Sequence, residues 1–288
     1  MEILLGGILL GGTYALIAMG LQLQYGVARI MNLANGEVLV AGSFSALWLF
    51  TGAQINPILA IVLLAPGAYI LNYFIYQIFL RPLVKRAKSE GQLEVDSILS
   101  TFGISFVFIG LLHAIFGGEY FNYEYLEIPF EIFGQAYGVN RIAAFLGAAI
   151  LAALLYIWLT HTRSGLKLRA VSVNPSSARL VGINVERTSA MAFALGGAVT
   201  AAGGSLISMF DTFDASIGVV FTMKALIIVI LGGVKEIKGT IVAAFILGFA
   251  ETAVATLIDP GLTLAAAFLL FILVLLFRPQ GLFGRQSS

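Results

Sequence analysis

Long apolar blocks alternate with short polar stretches along this chain. Seven blocks are long, at residues 3–23, 57–80, 98–116, 142–159, 189–209, 240–258 and 262–277, and two are short, at 38–50 and 221–231. A helix needs about 20 apolar residues to cross the hydrocarbon core of a bilayer, so each long block predicts a span. The short blocks can cross only if they are broken, tilted or buried among the others. Irregular backbone at that depth is tolerated only where protein or a water-filled cavity covers it. The pattern predicts an all-α fold: a polytopic helical membrane protein with eight to nine membrane segments in one transmembrane domain, residues 1–288. No basic n-region precedes the first block, which therefore reads as a span and not a cleaved leader.

Composition agrees and narrows the function. Hydrophobic residues make up 59% of the chain and charged residues only 11%, with a mean hydropathy of +0.98. A soluble domain carries roughly a quarter charged residues, so a soluble enzyme is excluded. The 22 phenylalanines argue against disorder. A net charge of +1, from 16 basic and 15 acidic residues, gives no footprint for nucleic acid. With no cysteine there is no disulfide framework, thiolate nucleophile or Cys-ligated metal. The 32 glycines, among them the pairs Gly6–Gly7, Gly11–Gly12, Gly196–Gly197 and Gly203–Gly204, suit close packing of membrane helices.

Charge sets the orientation. Arg81, Lys85, Arg86 and Lys88 fall in one connection, and Arg163, Lys167, Arg169, Arg179 and Arg187 in a second. Lys235 and Lys238 fall in a third, and Arg278 and Arg285 in the tail; together these are 13 of the 16 basic residues. Alternating spans put all four segments on one face. The connections between them are acidic, with Glu119, Glu124, Glu127 and Glu131, then Asp211 and Asp214, then Asp259. Basic loops face the cytoplasm, so the C-terminus is expected inside and the N-terminus outside.

Catalytic motifs are missing. Residues 232–240 read GGVKEIKGT, with lysine and glycine in the wrong order for a phosphate-binding loop. The chain has two histidines, His113 and His161, too few for a zinc-protease motif. Lone His113 reads as an interhelical hydrogen-bonder or interfacial residue, and the Ser164-x-x-Lys167 match as loop charge. An enzyme is not expected, and neither is a metal site.

Three places are chemically unusual. The first is the basic connection, residues 162–188, longer than two neighbouring helices need. Asn174 is a good N-cap, Pro175 suits the first helical position, and Gly182 suits the left-handed residue that ends a helix. A short helix over residues 176–181 follows, then a second N-cap at Asn184 with Glu186 in the next first turn. It is either a plain surface joint or a docking element for a soluble partner. The second place, residues 25–37, packs Arg29, Asn32, Asn35, Gly36 and Glu37 beside the short block 38–50. Ionisable groups at membrane depth usually pair or line a hydrated path. Helical spacing would leave Arg29 and Glu37 near one face. The 13 residues of the short block give roughly 20 Å of helix, so non-helical chain is expected to supply the missing depth, with Asn32, Asn35 and Gly36 the residues that tolerate it. Two readings stand: a helix broken beside a translocation path, or a plain cytoplasmic turn. The third place is Glu251, central in its block and in need of a partner or cavity. Lys224, three residues into the short block 221–231, is a further candidate, with a place at the outer interface as the plain alternative.

The segment NPSSARLVGIN at residues 174–184 resembles the coupling-helix signature of the permease subunits of branched-chain amino acid ABC importers. The resemblance extends, in order, over GGTYALIAMGLQLQYGVARIMNLANGEVLVAG (11–42), FLRPLVKR (79–86), TFGIS (101–105), TMKALIIVILGGVKEIKGTIVAAFILG (222–248) and LFRPQGLFG (276–284). The chain departs from the family at Asn35, where His is common, and at Ser176 and Ser177, where an acidic residue and Ala are common. The resemblance implies an ABC importer permease fold and an ATPase-coupling helix formed by Arg169, Asn174, Pro175, Ser176, Ser177, Ala178, Arg179, Gly182, Ile183 and Asn184. It also implies no cofactor on this chain, with ATP hydrolysed by two ATP-binding partner subunits. The other partners implied are a second, related permease subunit, identical or different, and an extracytoplasmic substrate-binding protein. The setting implied is the lipid bilayer of a bacterial or archaeal inner membrane. The substrate expected is a branched-chain or other hydrophobic amino acid, with urea and short amides as the family's alternatives. Arg29, Asn32, Asn35, Gly36, Glu37 and Glu251 are the candidates for the translocation pathway. A stand-alone secondary transporter or channel is the competing reading, and it leaves the capped loop helix idle.

Overall fold

The computed structural model describes residues 2–123, 125–132, 135–278 and 280–283. Glu124 of the acidic outer connection and Arg285 of the basic tail lie outside the described residues. The chain runs α1 (Glu2–Ala28), α2 (Asn35–Ala53), α3 (Pro57–Ile75), a π-turn (Tyr76–Leu80), α4 (Arg81–Arg86) and α5 (Glu90–Phe116). A hairpin of β1 (Pro129–Ile132) and β2 (Gln135–Gly138) precedes α6 (Val139–His161), α7 (Arg163–Val173) and α8 (Pro175–Leu180). Then come α9 (Val185–Ile207), α10 (Gly218–Gly232), α11 (Ile237–Leu257) and α12 (Thr263–Phe277). Among the described residues eight helices are long and apolar enough to cross a membrane, and α10 is shorter.

The block at 38–50 is longer than its apolar core. It extends in both directions into α2, 19 residues or roughly 28 Å of helix. Asn35 and Gly36 are helical, so the expectation of non-helical chain at those two positions is corrected, while Asn32 is non-helical as expected. Polar residues continue the helix here because neighbouring helices bury them, with Thr200 donating to Asn35 and Thr222 accepting from the Gly36 amide. The block at 57–80 likewise continues to Arg86. Pro82, near the start of α4, would clash with a regular preceding turn, and a π-turn at that point absorbs the misfit.

α1 is the axis of the fold, with residues 11–24 buried throughout. Small residues let its backbone approach two neighbours. A Cβ at Gly11 would meet Phe245 of α11, and one at Gly20 would meet Thr200 and the Gly196 carbonyl of α9. Such contacts replace the hydrophobic drive that lipid cannot supply between helices.

These contacts also orient the chain. Gly6 faces Thr252, whereas Gly26 faces Val234, so α1 and α11 are antiparallel and the start of α1 lies away from the basic connections. The Leu282 amide donates to the Leu231 carbonyl at 2.7 Å, which puts the described C-terminal residues on the basic face. The opposite face is closed by an aromatic cluster. Phe121 and Phe213 exchange two backbone hydrogen bonds, and both rings pack edge-on against Phe44. Large apolar side chains on α3, α5, α6 and α12, such as Val62, Phe106, Ile150 and Leu276, are exposed on the outside of the bundle.

Candidate functional site

The basic connection folds into α7 and α8. Asn174 accepts from the Ser177 amide at 3.0 Å, Pro175 occupies the first turn, and Gly182 ends the helix at φ +80°. Asn184 caps α9 by accepting from the Arg187 amide at 2.9 Å. Only two residues pass between Gly182 and α9, so α8 and α9 are tightly tied. Arg169 points back to α6, donating to the Thr160 carbonyl at 3.1 Å. Ala178 is buried and Ile183 partly so, whereas Ser176, Ser177 and Arg179 are exposed. Glu186 then pairs with Arg81 and with Lys85 at 3.5 Å, linking α9 to α4. Two large apolar residues are strongly exposed as well: Leu180 at 89% and Val181 at 75%. The sequence reading passed over both, although two large apolar residues closing a polar helix were a visible signal.

At residues 25–37 the helix does break, but earlier than the sequence suggests. Arg29 adopts φ +56°, a conformation usually left to glycine, and ends α1. Residues 29–34 are non-helical and largely buried. α5 holds this segment: Ser97 accepts from the Met31 amide at 3.2 Å, and Thr101 accepts from the Leu33 amide at 3.0 Å. Asn32 donates to Gln24 at 2.9 Å and accepts from the Ala34 amide at 3.0 Å. Asn35 accepts from Thr200 of α9 at 3.0 Å, and the Gly36 amide donates to Thr222 of α10 at 2.8 Å. A Cβ on Gly36 would overlap the Gly218 carbonyl. The segment is therefore a buried junction of α1, α2, α5, α9 and α10, not an exposed turn. Glu37 is fully buried against Gly218, and its carboxylate oxygens accept no hydrogen bond among the described residues. The expected proximity of Arg29 and Glu37 thus gives no ion pair between them.

Glu251 lies in α11 at 2% exposure. Its Oε2 accepts from Tyr14 at 2.8 Å and from Lys224 at 2.9 Å, and Lys224 also donates to Tyr14 at 2.7 Å. Lys224 is thus a buried partner and not an interfacial cation, because α10 packs against both α1 and α11. Tyr14 and Glu251 border a cavity of about 470 Å³ that also receives Arg141, Phe210 and Asp211. Asp211 is exposed at the rim of the cavity, and partial desolvation there raises its carboxyl from the usual carboxylate range, against the pull of Lys224 and Arg141. Among the described residues no three metal-ligating side chains converge. His113 turns back onto its own helix end, 3.1 Å from the Gly117 carbonyl.

Residues 3–277 match the family described as branched-chain amino acid transport system / permease component. The chain belongs to this permease family. It is 28% identical to the high-affinity branched-chain amino acid transport system permease protein LivH of Salmonella typhimurium, covering 98% of this chain and 94% of that one. A probable branched-chain amino acid transport permease protein LivH of Methanocaldococcus jannaschii is 28% identical over 98% of this chain and 92% of its own length. The permease protein BraD of Pseudomonas aeruginosa, of a high-affinity branched-chain amino acid transport system, is 28% identical over 99% and 95%. Two of the sequence motifs are structural joints in this fold. The TFGIS motif of this permease supplies Thr101, which braces residues 29–34, and the TYAL motif supplies Tyr14 to the Glu251 cluster. Arg141 was passed over by the sequence reading. It is one of only three basic residues outside the basic-face segments, with Arg29 and Lys224, and that exception was its signal.

Proposed function

We propose that this permease is the membrane-spanning subunit of an ATP-driven importer for branched-chain and other hydrophobic amino acids. The assembly holds two ATP-binding subunits, a second related permease and an extracytoplasmic binding protein, in a bacterial or archaeal inner membrane. The permease itself binds no cofactor; its partners hydrolyse the ATP. The observation that carries this reading is α8: a rigidly capped helix whose Leu180 and Val181 stand bare on the basic face. Exposed apolar residues on an otherwise polar face favour a protein partner over solvent. A secondary transporter has no use for such an element.

The same geometry supports a route for the force. α8 is joined to α9 by Ile183 and Asn184, and the Glu186 pair adds α4 to the moving body. α9 runs along α1, α2 and α3, and its Thr200 grips Asn35. A displacement of α8 therefore reaches the buried junction formed by Arg29, Asn32, Asn35, Gly36 and Glu37. We assign the translocation path to that junction together with Glu251, whose partner Lys224 lies on α10 two residues from Thr222, which holds Gly36. The buried polar groups there exchange partners when the helices part, and this gives two discrete arrangements on which ATP can act.

Single cysteines at Leu180 and Val181 test the docking. They should cross-link to a co-expressed ATP-binding subunit, and ATP should change the yield. Labelling of these cysteines only from outside the cell would overturn both the orientation and the docking.

A further inference from the structure

We infer that the cavity between α1, α6 and α11, on the face away from the basic connections, is a binding site for the zwitterionic head of an amino acid. This rests on the amino-acid import proposed above and identifies where this chain meets the substrate. The cavity, about 470 Å³, is lined by Tyr14, Arg141, Asp211, Glu251, Leu10 and Phe210. That volume falls within the range of small-molecule pockets, roughly 300–1,000 Å³.

The chemistry of the lining is two-signed. Glu251 is 98% buried and uses one oxygen, Oε2, for both Tyr14 and Lys224. Its other oxygen, Oε1, is buried with no hydrogen-bond partner among the described residues. A buried carboxylate oxygen left unsatisfied is unfavourable, and an incoming N–H donor removes that penalty. An α-ammonium supplies such donors, and Asp211 adds a second acidic group to the same cavity. Arg141 lies 5.9 Å from the centre of the Phe210 ring. Its planar fork of donors matches the two oxygens of an α-carboxylate. Lys224 offsets the Glu251 charge, and Arg141 offsets Asp211. A ligand carrying one charge of each sign meets both ends of this arrangement, whereas a neutral amide or a simple cation meets one. Leu10 and Phe210 supply apolar surface for a hydrophobic side chain.

The test uses the complete transporter in nanodiscs without its binding protein, so that substrate selection by that protein does not intervene. Leucine binding is measured directly, with leucinamide (no carboxylate) and 4-methylpentanoate (no ammonium) as competitors. Each analogue should compete at least about tenfold more weakly than leucine, as expected for one lost charge-assisted contact. Arg141→Gln should weaken leucine and abolish its advantage over leucinamide. Asp211→Asn and Glu251→Gln should abolish its advantage over 4-methylpentanoate. If Glu251→Gln fails to assemble, the two rim variants still decide the matter. A wild-type complex that imports leucine with ATP, yet whose leucine binding and KM are unchanged in all the variants, would overturn the site and leave the import reading standing. A wild-type complex that imports another solute and no amino acid would overturn both.

Discussion

Breaking the Lys224–Glu251 pair tests whether charge is structurally committed inside this bundle. Glu251 is 2% exposed and the Lys224 side chain 13%, so removing one partner strands the other in a poorly solvated place. Stranding one member of a buried ion pair costs about 3–5 kcal/mol. The residual exposure of Lys224 puts the estimate at the lower end, about 3 kcal/mol for Lys224→Met. Glu251→Gln retains an acceptor for Tyr14 but leaves the lysine unpaired, and a loss of similar size is expected. The double variant removes both charges and keeps the Tyr14 hydrogen bond, so it should recover to within about 1 kcal/mol of wild type. The assay is unfolding of the four proteins in one detergent–lipid mixture, closed as a double-mutant cycle. Independent sites add to within about 0.5 kcal/mol. Two single losses that simply add in the double variant would refute the pairing argument.

Leu180→Asp should leave the subunit in the membrane and uncouple ATP hydrolysis from uptake, measured in parallel on proteoliposomes; coupled uptake at the wild-type rate would exclude α8 from the interface. Gly36→Val, which forces a side chain into the Gly218 carbonyl, should lower stability by about 1–3 kcal/mol by overpacking. Asn35→Ala removes one acceptor of the Thr200 hydroxyl, which keeps the Gly196 carbonyl; it should cost about 1 kcal/mol and slow uptake with normal membrane levels. Asp211→Asn should stabilise the protein at neutral pH, because the folded state raises that carboxyl above its ordinary value and so disfavours its ionised form. A raised acid stabilises the fold below its unfolded value and loses that contribution as pH rises through the folded one. The advantage of Asp211→Asn should therefore shrink on acidification, and a melting-temperature difference that does not vary with pH would contradict the assignment.

The spans were legible because apolar runs of 20 residues have few alternative fates. The α8 loop was legible for a local reason: capping by Asn174 and Asn184 acts within three residues of sequence. α2 was underestimated because Asn35, Gly36 and Glu37 look like a polar turn until Thr200 and Thr222 arrive to satisfy or bury them. Those partners are 165 and 186 residues away, beyond the reach of any local pattern. The pairing of Lys224 is hidden from sequence for the same reason, since its partners Tyr14 and Glu251 come from two other helices. The hairpin Pro129–Ile132 with Gln135–Gly138 carried no apolar block to announce it. Leu180 and Val181 were legible as large apolar residues closing a polar helix, but the extent of their exposure comes only from the fold.

The central claim is import driven by ATP hydrolysed on separate subunits. It is tested most directly by leucine uptake into proteoliposomes holding this permease, its partner permease and the two ATP-binding subunits, with binding protein outside and ATP inside. Uptake should require all components and stop when a non-hydrolysable ATP analogue replaces ATP. Leucine uptake by the permease alone, driven by an ion gradient without ATP, would contradict it.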